Sequence, residues 1–565
     1  MAIATTIPAI LRERALSTPT ETALLRRAES GDWRPLSYEE LWRSVLAVAA
    51  GLEDLGLAKG DRVGILARSG LEWELTYMAV LALGGVAVPL DRHDAPERWR
   101  RIAAKAGLDA LLVDEASLLG ELPVKTAITL EEASSRATPW RTLGAGRAEP
   151  RGPLPGPGDP AILLFTSGTT GESKGVRYTH EQVLLAARSV VSALALKPGA
   201  RLLSWLPLSS PFQRMGNLSA LLAGGTVVLV EDPRRVLEAL AEIPCDIVLG
   251  PPRFFEKLHA GIEAAIAKRP RPLRALIRAA VAVGDRHARC AREGRPPSLC
   301  LRALRALADR LVLPRIRRIL GARAPLLVSG SAPMPVRLLE SFDALGLLVL
   351  EAYGLTENIV PVSMNRPDAF RFGSVGKPLP ANELRLSDDG EVLVRGPGAS
   401  TGYLGDGRHG LTPDGFLATG DQGRLDEEGF LHLTGRRAEL LKTSGGRRVA
   451  PAGIEAKLRA IPYVEHAAVV GADRKCLVAV MAVDPALAQD GERIASDVRA
   501  HVSDLPRFEQ PAGVLVVRDG FSVAGGELTA SAKLRRSFVE RKFLPAIERL
   551  YATIDRDPRL QVIYV

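Results

Sequence analysis

Phe165-Thr166-Ser167-Gly168-Thr169-Thr170-Gly171-Glu172-Ser173-Lys174-Gly175 continues without a break from the apolar run Ala161–Phe165. The apolar run reads as a buried strand, and the Gly/Ser/Thr-rich segment after it reads as a loop built for a polyphosphate. The glycines let the backbone turn tightly and expose N–H groups, the Thr and Ser hydroxyls add donors, and Lys174 adds a positive charge. The spacing is not that of a Walker loop, because Ser173 stands five residues after Gly168 where that pattern needs glycine. A strand delivering a phosphate loop points to an α/β fold, and the rest of the chain agrees.

Short apolar runs at Val63–Leu66, Thr226–Val230, Asp246–Leu249 and Leu326–Val328 alternate with helical patterns such as Tyr38–Leu55 and Glu181–Leu196. That alternation predicts largely parallel sheets flanked by helices. The stretch Asp389–Arg395 reads instead as a turn followed by an alternating strand, so a small barrel-like portion is expected after the main sheets. A break near Gly435–Ala438 divides an N-terminal domain, 1–436, from a smaller α+β C-terminal domain, 437–565, with its own apolar runs at Ala467–Val470 and Leu477–Val483. Between His259 and Pro314 strand character is lost, and Pro270, Pro272, Pro296 and Pro297 punctuate what reads as a helical insertion between two strands.

The 565 residues, 46% hydrophobic and 25% charged, fit a soluble globular protein of more than one domain. Arg12, Glu13 and Arg14 break the apolar run Ile7–Ile10 before an export signal can form. Met78–Leu90 is too short to span a bilayer and reads as core. Four scattered cysteines without a CxxC pair argue against a zinc site or disulfide framework, and a reducing cytoplasm is expected. The net charge of +9 is uneven. Sixteen Lys/Arg against four Asp/Glu lie between His259 and Arg323, leaving the remainder near −3. A local excess needs a local explanation, and peripheral contact with an anionic membrane at the inner face is the expectation, with Leu301, Leu304, Leu311 and Leu313 as its apolar side. Nucleic acid is disfavoured because the arginines have no interleaved aromatics.

Further motifs come after the phosphate loop in order: Ser329-Gly330-Ser331-Ala332-Pro333, Tyr353-Gly354-Leu355-Thr356-Glu357, Thr419-Gly420-Asp421, Gly435-Arg436, and Gly526-Glu527-Leu528-Thr529-Ala530-Ser531-Ala532-Lys533. This series resembles the adenylate-forming superfamily of acyl-CoA synthetases, luciferases and peptide-synthetase adenylation domains, over nearly the whole chain. Pro252-Arg253-Phe254-Phe255-Glu256-Lys257 and the helical insertion after it resemble the long-chain fatty acyl-CoA synthetases in particular.

The resemblance implies ATP-dependent activation of a fatty acid as an acyl-adenylate, then transfer to CoA with AMP and pyrophosphate released. A ligase that loads an acyl carrier protein is the alternative. Joining two anions, the acid and the α-phosphate, needs cationic and N–H donors at the developing charge. By resemblance Lys533 and Thr356 serve the α-phosphate, and Glu357 holds Mg²⁺ with Thr169. Thr166, Ser167, Gly168, Thr169, Thr170, Gly171 and Lys174 cradle the phosphates. Gly330, Ser331, Ala332, Tyr353 and Gly354 flank the adenine, and Asp421 and Arg436 the ribose. Gly445 and Gly446 are expected beside CoA, and Ala438 at the hinge of a mobile C-terminal domain. Two positions depart from the pattern. Ser210 stands where a histidine is common, and Ala438 where Asp or Lys is usual.

Overall fold

The computed structural model describes residues 5–28, 30–120, 122, 124–131, 135–167, 173–321, 325–400, 402–405, 410–445, 447–484, 490–522, 524–528, 534–557 and 559–565. The chain divides into two compact units. One comprises Met1–Arg385, Leu393–Thr419 and Leu425–Leu431, and the other Leu386–Val392, Gly420–Arg424 and His432–Val565.

The larger unit contains two sheets. The first runs, strand by strand, Thr138–Pro139, Thr126–Thr129, Ala110–Val113, Arg62–Leu66, Val86–Pro89, Pro160–Ser167, Ser173–Thr179. Every neighbouring pair is parallel except the last, which is an antiparallel hairpin. The second has six parallel strands, Val349–Leu355, Leu326–Ser329, Ile247–Gly250, Arg201–Ser204, Thr226–Leu229 and Thr22–Arg27, with antiparallel strands added at both edges. Central strands read as unbroken apolar runs because helices cover both faces. Ala110–Val113, Thr226–Leu229 and Ile247–Gly250 are buried at every position.

Local chemistry sets the helix starts. Ser37 accepts from the Glu40 N–H while the Glu40 carboxylate takes the Ser37 N–H, closing a capping box at the head of Tyr38–Asp54. Thr179 and Gln182 do the same for His180–Leu194. The apolar stretch from Met78 is the end of helix Leu71–Leu83, stopped by Gly84 at φ 81° and followed by strand Val86–Pro89.

The insertion links the parallel neighbours Ile247–Gly250 and Leu326–Ser329 through helices Pro252–Ala267, Arg271–Arg292 and Leu299–Leu311. Pro270 and Pro272 start the second of these, and Pro296 and Pro297 separate it from the third. Its exposed apolar face matches the one expected from sequence only in part. Leu304 and Leu311 are exposed, Leu301 is half-buried, and Leu313 is wholly buried in the cluster around Phe342. The stretch expected to be barrel-like holds the short strands Glu383–Leu386, Glu391–Arg395, Leu417–Leu425 and Leu431–Arg436.

The smaller unit carries a sheet in the order Val464–Val470, Val478–Val483, Gly513–Val517, Gln561–Tyr564, the first pair antiparallel and the others parallel. Val469, Ala479 and Met481 face one core cluster, while Ala468, Val470 and Val480 face another. Both faces are therefore covered, which explains the continuous apolar runs.

Candidate active site

The described ends of the phosphate-loop sequence lie on the antiparallel strands Pro160–Ser167 and Ser173–Thr179, with Phe165 opposite Gly175 and Thr166 opposite Lys174. A Walker loop leads from strand into helix; here a second strand returns, and the helix starts only at His180. Gly168, Thr169, Thr170 and Gly171 lie outside the described residues, as do Gly446 and Lys533. A Cβ at Gly175 would press on the Phe165 ring at 3.1 Å, so the ring would have to give by a few tenths of an ångström.

Lys174 projects from the returning strand over the ring of Tyr403, 4.7 Å from its centroid. The Tyr403 hydroxyl donates to Glu357 Oε1 at 3.0 Å, and the neighbouring Leu404 N–H donates to the Gly175 carbonyl at 2.8 Å. Tyr403 thus joins the cation of the phosphate hairpin to the carboxylate expected to hold a metal. Sequence reasoning did not single it out; the available signal was one aromatic after Gly402 in a polar loop. Glu357 and Thr356 form the half-buried turn between strands Val349–Leu355 and Asn358–Met364. The Thr356 carbonyl accepts from the Tyr178 hydroxyl at 2.6 Å. Burial, then the nearby Glu357 charge, pushes the Tyr178 phenol well above its ordinary range, so it remains a donor.

The adenine-side loop leaves strand Leu326–Ser329 with Gly330 against Phe212, where a Cβ would sit 3.0 Å from the ring. Ser331 adopts φ 72°, a left-handed backbone uncommon for a residue with a side chain. Ala332 is exposed beside it. Glu351 anchors the loop's far end: its Oε1 accepts from the Met334 N–H at 3.0 Å, and burial raises its carboxyl to about 7. Its other oxygen and the Ser329 hydroxyl are buried without a hydrogen-bond partner among the described residues. Tyr353 is buried at 8% exposure while Gly354 is exposed.

A second group not anticipated from sequence lies beside the Leu206–Phe212 segment. Glu74 and Arg214 form an ion pair with both side chains almost fully buried. Arg214 also stacks on Tyr77 at 4.1 Å and Trp73 at 5.3 Å. Ser210 caps the helix Pro211–Leu222 by position but makes no side-chain cap bond. Gln213 and Asn217 on that helix take up the polar work: Gln213 Oε1 accepts from the Leu206 N–H at 3.2 Å, its amide donates to Asn217, and Asn217 donates to Ser204.

In the smaller unit Asp421, 7% exposed, meets Arg436 Nε at 3.1 Å, bringing the expected ribose pair together. The next residue, Arg437, pairs with buried Glu391 at 2.7 Å, and the Gly420 N–H donates to the same carboxylate at 2.9 Å. Ala438 lies in the short turn Arg437–Glu439. Glu439 pairs with Arg536 at 3.1 Å, and Arg536 with Glu455 at 2.9 Å. Gly445 stands in the turn between Leu441–Lys442 and Arg448–Val449. Lys533 belongs to a segment whose ends are pinned. Leu528 and Leu534 bridge across it, and buried Glu527 accepts from the Ser522 N–H and pairs with Lys542.

Among the described residues no group of three or more His, Cys, Asp or Glu could hold a metal alone. One accessible carboxylate suits Mg²⁺, which is ordinarily shared between a protein oxygen, phosphates and water.

Comparison with known proteins identifies the family. Residues 11–404 match the family described as AMP-binding enzyme, and residues 439–555 match the AMP-binding enzyme C-terminal domain. A Mycobacterium bovis protein named long-chain-fatty-acid–CoA ligase FadD15 is 33% identical over 94% of each chain. The Xenopus laevis long-chain-fatty-acid–CoA ligase ACSBG2 is 27% identical over 93% of this chain and 81% of its own length. The crystal structure of ATP-bound MatB from Rhodopseudomonas palustris superposes with a TM-score of 0.75 at 23% identity, covering 96% of this chain and 99% of that one. The adenylation domain of a Mycobacterium chelonae carboxylate reductase gives 0.78 at 22%, covering 97% and 92%. At these identities the two structures speak to the fold.

Proposed function

The chain belongs to the AMP-binding enzyme family, and from that membership we propose that it is an AMP-forming fatty acid–CoA ligase acting on long-chain acids. The observation that carries this reading is the likeness to proteins of that name along almost the whole of both chains. In the first half-reaction a carboxylate oxygen of the acid attacks the α-phosphorus of ATP, and the bond to pyrophosphate breaks. In the second, the CoA sulfur attacks the acyl carbon, and AMP leaves.

The residues divide that work. Thr166 to Gly171 and Lys174 hold the β- and γ-phosphates. Thr356 and Lys533 serve the α-phosphate, where negative charge must be offset before two anions can react. Asp421 accepts from the ribose hydroxyls, and Arg436 donates to the nucleotide. Bound Mg²⁺ supplies charge neutralisation of the phosphates; Glu357 would hold it, with Thr169. Tyr403 fixes the Glu357 carboxylate by its hydroxyl and Lys174 by its ring. Gly445 and Gly446 leave room for the pantetheine arm, and Ala438 is the pivot between half-reactions. The acid, which partitions into bilayers, is collected at a membrane surface.

ATP–pyrophosphate exchange with acids of increasing length tests the first step, followed by thioester formation with CoA and with an acyl carrier protein. Exchange should require a long acyl chain, and product should form with CoA. Lys533→Ala should lower exchange by about two orders of magnitude, while thioester formation from supplied acyl-AMP survives better. No exchange with any fatty acid, or thioester formed on the carrier protein alone, would overturn the reading.

A further inference from the structure

The helices Arg271–Arg292 and Leu299–Leu311 of the insertion bury few of their side chains, and their charge is split by position. The inner arginines are used internally. Arg292 pairs with Asp343 at 2.5 Å and with Glu340, Arg305 pairs with Asp309 at 2.6 Å and donates to the Ala344 carbonyl, and Arg317 also pairs with Asp309. Arg305 is therefore not one of the surface cations, although its sequence context suggests it. Arg278, Arg286, Arg302 and Arg310 are exposed and have no ion pair among the described residues.

The same two helices are apolar between their arginines. Leu299, Leu304, Leu307 and Leu311 are exposed at 80%, 45%, 54% and 49%, and Leu276 on the preceding helix at 55%. With Leu273, these make six of the thirteen large apolar side chains exposed among the described residues, in under one-tenth of the chain. Scattered exposed leucines are ordinary, but a concentration beside unpaired arginines marks a binding face. The inner face is already satisfied: Ile277, Ala280 and Ala308 join the core, and Gly284 lies so close to Ala344 that a Cβ would clash.

We propose that this two-helix face docks on an anionic lipid bilayer, with Leu299, Leu304 and Leu307 in the interfacial layer and Arg278, Arg302 and Arg310 on lipid headgroups. Charge complementarity selects the occupant, since nearby Asp285 and Asp309 are already engaged by Arg289, Arg292, Arg305 and Arg317. Composition favours lipid over the other occupants. No Phe, Trp or Tyr occurs between Glu256 and Ser341. Protein interfaces concentrate their binding energy in aromatics, and single-stranded nucleic acid binds by stacking on them. A lipid surface needs only aliphatic and cationic side chains on one helical face. The proposal rests on the fatty-acid reading only for why a bilayer is useful, because long-chain acids reside there.

Co-sedimentation of the full chain with phosphatidylcholine vesicles, and with vesicles containing about one-third phosphatidylglycerol, tests it at low and high salt. Binding should require the anionic lipid and weaken at least tenfold at high salt, since exposed charges more than about 8–10 Å apart are screened at moderate ionic strength. Arg278→Glu/Arg302→Glu/Arg310→Glu should weaken it at least tenfold, and Leu299→Ser/Leu304→Ser/Leu307→Ser by a similar factor. All six side chains are exposed, so unchanged melting temperatures should show the variants folded. Equal binding to neutral vesicles, or full binding by the charge-reversed variant, overturns the proposal. Full binding by the serine variant overturns the inserted-leucine half of it. Exchange activity on palmitate delivered from albumin, without vesicles, is assayed on the same preparations. Loss of vesicle binding with retained exchange fails the surface alone, and vesicle binding without exchange fails the ligase reading alone.

Discussion

Tyr403→Phe separates two functions that one side chain carries. The substitution removes the hydroxyl that donates to Glu357 Oε1 at 3.0 Å and leaves the ring on which Lys174 rests at 4.7 Å. A hydrogen bond to a charged acceptor contributes about 1.5–3 kcal/mol. Tyr403 and Glu357 are half-buried, so water replaces part of that and the lower end applies. At about 1.4 kcal/mol per decade, exchange should fall roughly tenfold. Because the bond orients the carboxylate proposed to hold Mg²⁺, the loss should appear as a higher half-saturating Mg²⁺ concentration. The affinity for the acid should stay unchanged. Tyr403→Ala also removes the cation–π contact, about 0.5–2 kcal/mol more, and should additionally weaken ATP binding through Lys174. Exchange measured across a Mg²⁺ titration, with nucleotide binding by calorimetry, reads both terms. Wild-type Mg²⁺ dependence in the Phe variant, or identical Phe and Ala variants, would show that Tyr403 is only packing between the hairpin and the Thr356–Glu357 turn.

Asp421→Ala should weaken ATP binding by about 1.5–3 kcal/mol with an unchanged melting temperature, because the buried acceptor proposed for the ribose hydroxyls is lost; unchanged affinity by calorimetry removes Asp421 from the site. Glu74→Gln should destabilise the larger unit by about 3–5 kcal/mol by leaving Arg214 buried and uncompensated, whereas Glu74→Leu/Arg214→Met should come within about 1 kcal/mol of wild type in urea titration. A double variant as unstable as the single one would show that the pair itself, rather than the orphaned charge, sets the cost. Burial raises Glu351 from 4.5 to about 7, so the folded protein holds its proton more tightly than the unfolded chain. That contribution is fully present below about pH 4.5 and is lost as pH rises through 7. Glu351→Gln keeps an acceptor for the Met334 N–H and cannot ionise, so its stability relative to wild type should improve by about 3 kcal/mol between pH 5 and 8; parallel pH profiles in thermal melts would contradict it.

What the sequence made legible depended on how each feature is encoded. Parallel strands covered on both faces must be continuous apolar runs, so Val63–Leu66, Thr226–Val230 and Ala467–Val470 declare themselves within a few residues of their observed limits. Helix starts are equally local, as Ser37 and Glu40 illustrate. The motifs proposed to serve the nucleotide could be found because each is a short run in the sequence; in the fold Thr356 and Glu357 share a turn, and Asp421 and Arg436 end on facing side chains.

The features that escaped are relations across long separations. Tyr403 lies 229 residues from Lys174 and 46 from Glu357, and Glu74 lies 140 from Arg214. Neither partner has a local pattern that announces the other. A glutamate in an apolar helix such as Leu71–Leu83 does carry information, because burying an unpaired carboxylate costs more than the helix can tolerate. The sequence therefore requires a cation near Glu74 without saying which one. The same limit explains the insertion. Its composition announces an excess of arginine, but whether an arginine serves the core or the surface depends on which acids the fold brings within reach. Asp309 and Asp343 take Arg305, Arg317 and Arg292, and the arginines beyond their reach are left to face whatever lies outside the protein.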